Sequence, residues 1–128
     1  MCELKQLCND LHLPLGDKFT QDWAYELPDQ YRTQTWLDKY LYAYVNSTYS
    51  KLQKHILMTL LLDVTNDLLS SGISASSPKI SQVLALLFHN HDDYMDLIDY
   101  WSLSDEPIED CFALTSEIRK LKRRLNNK

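Results

Sequence analysis

A chain of 128 residues with 45% hydrophobic and 24% charged content is long enough to bury a real core and too apolar for wholesale disorder. Two glycines and four prolines are too few for a many-turned β architecture, and a net charge of -5 excludes nonspecific nucleic-acid binding by the domain as a whole. Three cysteines, Cys2, Cys8 and Cys111, are odd in number and form no CxxC pair. That argues against a disulfide framework or a zinc site and points to a reducing cytoplasm.

The N-terminal residues carry no charged stretch followed by an apolar run, so they do not read as a signal peptide. Leu4, Leu7, Cys8 and Leu11 repeat at helical spacing, and Pro14 with Gly16 is expected to end this first helix. Asp17 is placed to cap a short second helix carrying Phe19 and Trp23 and stopped by Pro28. Asp29 is then expected to open a longer helix. Trp36, Leu37, Tyr40, Leu41, Tyr44 and Val45 make its apolar stripe, with Arg32, Asp38 and Lys39 facing away.

After a polar interruption at residues 46–49, residues 51–70 read as the central helix. Leu52, Ile56, Leu57, Leu60, Leu61, Val64 and Leu68 spread around most of its circumference. Its apolar run at residues 56–62 is far too short to span a bilayer. Ser70, Ser71 and Gly72 mark its end. Ser77 before Pro78 predicts the next start, a capping hydroxyl followed by proline at the first helical position. Ile80, Val83, Leu84, Leu87 and Phe88 follow, then a break at Asn90 and a restart with Tyr94, Leu97, Ile98 and Trp101.

Ser104, Asp105, Glu106 and Pro107 predict the start of a last helix. Its Cys111, Leu114, Ile118, Leu121 and Leu125 form a narrow heptad seam suited to packing on one partner helix. The expectation is an all-α fold, a single-domain helical bundle of five to seven helices over residues 1–128, with residues 119–128 as its basic C-terminal end.

Charge is laid out unevenly along these elements. Residues 80–118 contain no lysine or arginine and nine carboxylates, whereas residues 119–128 carry six positive charges and no negative one. Acids at the start of a helix and bases at its end complement the helix dipole by roughly 0.3–1 kcal/mol each. On this reading the acids from Asp105 to Asp110 and the basic tail serve the last helix, and Asp92 and Asp93 help to start the one before it. The tail can also fold back against the acidic segment. Asp96 and Asp99 read as the middle and end of a short helix, where the dipole gives nothing to a negative charge.

Three constellations offer chemistry. His89, His91, Asp92 and Asp93 form a cluster, and a His-Asp dyad with His55 upstream resembles the ligand set of HD-type phosphohydrolases, which are also all-α. The resemblance covers His55, His91 and Asp92 and extends at most to Asp99. It implies a divalent ion that activates water. The plainer reading of the cluster is a solvated junction between two helices. On the central helix, His55, Thr59, Asp63 and Asp67 are four apart and read as the strip that reaches water. A buried Asp63 would need a cation or several donors. The aromatic residues from Trp23 to Tyr49 fall mostly on a core face, with Tyr42 and Tyr49 off it as surface anchors. There is no GxSxG elbow, no phosphate-binding glycine loop and no histidine beside Cys111, so no enzyme, metal or cofactor is expected.

The leading expectation is a cytoplasmic binding module, of the inhibitor or immunity type, that captures a basic protein such as a toxin or nuclease. Asp92, Asp93, Asp96 and Asp99 supply charge and Tyr100 and Tyr42 are anchors, with no direct nucleic-acid or membrane partner. The alternatives are a structural or adaptor protein that assembles, as a homodimer for instance, through the last-helix seam, and the HD-like metal-dependent phosphohydrolase.

Overall fold

The computed structural model describes residues 2–13, 27–46, 48–103, 106–107 and 112–126. The fold is all-helical. Among the described residues there are six α-helices, two 3-10 turns and no strand. The helices are α1 (Cys2–Leu11), α2 (Gln34–Asn46), α3 (Lys51–Ser70), α4 (Pro78–His89), α5 (Met95–Ser102) and α6 (Ala113–Asn126), with 3-10 turns at Asp29–Tyr31 and His91–Asp93. None of these helices is long and apolar enough to cross a membrane. The chain divides within α3 into two compact units, Met1–Val64 and Thr65–Lys128. The short helix expected around Asp17, Phe19 and Trp23 lies outside the described residues, as do Ser104, Asp105, Glu109, Asp110 and Cys111.

In the first unit, α1 buries Leu7 and Cys8. It stops at Leu11, before the expected Pro14 and Gly16, because His12 takes the left-handed conformation (φ 58°). The Leu13 N–H then bonds the Cys8 carbonyl at 2.8 Å and the His12 N–H the Asn9 carbonyl at 3.4 Å, the Schellman pattern that glycine usually makes. Asp29 does not open the long helix. It starts the 3-10 turn, in which the Arg32 N–H bonds the Asp29 carbonyl at 2.9 Å, and Arg32 then leaves helical geometry. Thr33 is the true cap: its Oγ1 accepts from the Trp36 N–H at 3.3 Å. Helix α2 buries Leu37, Tyr40, Leu41 and Tyr44, while Val45, at the edge of the expected stripe, is exposed.

The start of α3 is a capping box. The Gln53 N–H donates to Ser50 Oγ at 3.1 Å, and the Ser50 N–H donates to Gln53 Oε1 at 3.0 Å. Gln53 Nε2 also donates to Gln6 Oε1 at 2.7 Å, which ties α3 to α1. Substituting Ser50→Ala is expected to cost about 1 kcal/mol, read as a lower urea midpoint at unchanged slope. Leu57, Met58, Leu60, Leu61, Leu62 and Val64 are all buried, as the apolar circumference of α3 requires, whereas Leu52 in its first turn is exposed.

The strip His55, Thr59, Asp63, Asp67 reaches water only in part: His55, Thr59 and Asp67 are half-buried, and Asp63 is buried. Asp63 is only 6% exposed, and its Oδ2 lies 3.1 Å from Nη2 of Arg32, itself only 8% exposed. Arg32, expected to face away from the core, is thus the cation that a buried Asp63 demands.

In the second unit, α3 ends in a Schellman motif. Gly72 at φ 101° donates to the Leu69 carbonyl, and Ile73 to that of Leu68. Pro78 opens α4 as expected, but the Ser77 hydroxyl makes no cap bond. Its carbonyl accepts from the Ser81 N–H at 2.9 Å instead. Ile80, Val83 and Leu87 of α4 are buried, as are Tyr94 and the α5 residues Leu97, Ile98 and Trp101.

Helix α6 packs on α5 and α4. Its described start is Ala113 rather than the Ser104–Pro107 cluster, and its first turn holds no acid. Glu106 lies in a bend well before it, so the dipole account of that acid fails. Leu114 instead receives a cap from a distance: its N–H donates to Asn66 Oδ1 at 3.0 Å. Leu114, Ile118 and Leu121 are buried inside the unit. Of the other seam residues, Leu125 is half-buried and Cys111 lies outside the described residues.

Candidate functional site

The acidic segment of the second unit is shaped by how α4 stops. The Asn90 N–H and its Nδ2 both donate to the Leu86 carbonyl, at 3.0 and 2.9 Å, which closes the last turn. The chain then makes one 3-10 turn, His91–Asp93, and restarts as α5. Tyr94, Leu97, Ile98 and Trp101, spaced three and four apart, face the core. The same periodicity leaves Asp92, Asp93, Met95, Asp96, Asp99 and Tyr100 exposed. Five of the six residues expected to bind a partner are therefore exposed along this turn and α5, where Asp96, Asp99 and Tyr100 are spaced three and four apart on one helix face. The sixth, Tyr42, is on α2 of the first unit and is 71% exposed.

The carboxylates on this face differ in setting. Asp92 has a side chain 93% exposed, with Oδ1 3.2 Å from His91 Nε2. His91 Nδ1 lies 2.9 Å from the Phe88 carbonyl, which can only accept, so this nitrogen carries a proton. Asp96 falls in the first turn of α5. It does gain from the helix dipole, contrary to the expectation from sequence. Asp99 is not without a cation either: its Oδ1 lies 3.2 Å from Lys122 Nζ of α6. With side chains 61% and 30% exposed, such a pair contributes at most about 1 kcal/mol. Lys122 thus offsets charge at the C-terminal end of α5. Tyr100 is more than half exposed but held edge-on against the buried Trp101, with centroids 5.3 Å apart and planes at 87°. That support lowers the entropy lost when a tyrosine anchors a partner.

The basic block is employed in holding this face. Arg119 Nε donates to the Ser102 carbonyl at 2.7 Å, and its Nη2 to the carbonyls of Leu103 and of Glu106, the latter at 2.8 Å. These groups sit at and just beyond the C-terminus of α5, where Leu103 takes a left-handed conformation, φ 42°. One guanidinium thus supplies the cap and the positive charge that a helix C-terminus wants. Arg124 lies 4.2 Å from the Phe88 ring centroid, a cation–π contact to α4. The tail does fold back on the acidic segment, through Lys122.

The residues expected for other chemistry are arranged differently. Among the described residues, no three His, Cys, Asp or Glu side chains form a group that could hold a metal ion. Thr59 Oγ1 donates to the His55 carbonyl at 2.9 Å, an ordinary helical back-bond. Burial pushes the Cys8 thiol up to about 11, leaving it protonated and a poor nucleophile at neutral pH.

Sequence reasoning missed Arg119, Arg32–Asp63 and Asn66, whose partners are remote. It also missed the Ser50–Gln53 box, which the S-x-x-Q spacing announces. No protein-family model, no curated protein and no solved structure matches this chain.

Proposed function

We propose that the protein is a binding module that captures a basic protein partner through the exposed face of α5 and the 3-10 turn before it. An inhibitor or immunity role would follow if the partner's active surface is what becomes covered. The observation that carries the reading is the exposure of Asp92, Asp93, Asp96 and Tyr100 along the 3-10 turn and α5, in a stretch from residue 80 to 118 that contains no lysine or arginine. Electrostatic complementarity of this kind accelerates encounter and selects partners by sign, and a supported tyrosine supplies apolar contact once water is expelled.

The test is quantitative co-purification from the native host with wild-type protein and with the triple variant Asp92→Lys, Asp93→Lys, Asp96→Lys. A basic partner retained by the wild type and lost by about tenfold or more in the variant, at unchanged helicity, is the expected result. Retention of the same partner by both proteins would remove the proposal.

A further inference from the structure

The first unit has a concave surface of its own. A groove of about 950 Å³ runs beside the C-terminal end of α1, the 3-10 turn Asp29–Tyr31 and the outer side of α2. That volume lies within the range of ordinary ligand sites. Its walls are unusually aromatic, with Tyr31, Trp36, Tyr42 and Tyr49, and two carboxylates, Asp10 and Asp38, open onto it. Parts of this lining are held in place. Tyr31 and Trp36 pack edge to face with centroids 5.1 Å apart and planes at 71°. The Tyr49 hydroxyl donates to Asp10 Oδ2 at 2.6 Å, which orients that carboxylate.

A cation already occupies this surface. Lys39 Nζ lies 4.1 Å from the centroid of the Trp36 ring. Lys39 is exposed on α2, and its ammonium is a strongly hydrated charge on a flexible stem. Little is lost when it swings back into water. A guanidinium is better suited to the same place. It is planar and more weakly hydrated, it stacks on an indole face, and its fork of N–H groups matches a carboxylate.

We propose that this groove is a binding site for an arginine side chain presented by a peptide. The guanidinium lies on the Trp36 ring in place of Lys39, with its N–H groups directed to the carboxylates of Asp10 or Asp38. Lys39 is then a built-in competitor that keeps the aromatic surface covered until the peptide arrives. Tyr42 at the rim contacts the flanking peptide. All of these residues belong to the first unit, so the site stands independently of the α5 face.

The test is an NMR titration of the full-length protein with a blocked Gly-Arg-Gly tripeptide, following the Trp36 indole N–H, assigned by its loss in Trp36→Phe. Parallel arms use the citrulline isostere, the lysine tripeptide and tetramethylammonium. The expected result is saturable movement of the Trp36 signal with the arginine peptide at millimolar affinity or better. The neutral citrulline peptide should bind about tenfold more weakly. Lys39→Met removes the competitor and should tighten arginine binding by about threefold or more, while Asp38→Asn and Tyr42→Ala, both at exposed positions, should weaken it. Equal binding of citrulline and arginine, or unchanged or weaker binding in Lys39→Met, would overturn the proposal. Lysine or tetramethylammonium binding as tightly as arginine would overturn the assignment to a guanidinium.

Discussion

Substituting Asp63→Ala is expected to destabilise the protein by about 3–5 kcal/mol, the range for breaking a buried ion pair from one side. Arg32 and Asp63 are both almost fully buried and lie 3.1 Å apart. Deleting the carboxylate removes the Asp63 charge from beside the guanidinium in a medium that solvates it poorly, and local rearrangement recovers only part of that cost. The double variant Arg32→Met, Asp63→Leu, which removes both charges at similar volume, should regain most of the lost stability and can exceed the wild type. Urea denaturation of wild type, both single variants and the double variant gives the coupling energy directly. A cost below about 1 kcal/mol for Asp63→Ala would place the pair in water and contradict the burial described.

Arg119→Met has the next largest expected effect, about 2–4 kcal/mol. The substitution keeps the apolar stem and removes the charge-assisted bonds to the carbonyls of Ser102, Leu103 and Glu106. Those bonds close the C-terminus of α5 and join it to α6, so the loss should appear as faster hydrogen exchange in the last turn of α5 before global unfolding changes. Arg119→Lys should rescue little, because one ammonium cannot reproduce a planar fork that reaches several carbonyls at once. Arg123→Met, on an exposed residue of the same helix, is the control. Equal effects at the two positions would show that Arg119 acts only as surface charge.

How much was legible in the sequence depended on the range of the interaction. The bounds of α3 follow from apolar density between residue 51 and Ser70, and the start of α4 from Ser77–Pro78, because these signals are local. The apolar face Tyr94, Leu97, Ile98, Trp101 was likewise readable from periodicity alone. Starts and stops set by distant groups were not. Asn66 caps Leu114 across 48 residues, and α6 consequently begins beyond the acids that seemed to open it. Asp63 read as solvent-facing because its partner Arg32 lies on another element, and Arg32 read the same way for the converse reason. Asp99 looked unaccompanied in sequence, but the fold delivers Lys122 to it. The exposure of Asp92, Asp93, Asp96, Asp99 and Tyr100 was legible, since they alternate with the apolar positions of one turn and one short helix.

Hydrogen exchange of the protein with and without its captured basic partner tests the proposed docking face most directly. Binding through α5 requires new protection concentrated over residues 91–103, diminishing at high salt as the electrostatic contribution is screened. Protection confined to α1, α2 or α6, with residues 91–103 exchanging as in the free protein, would contradict it.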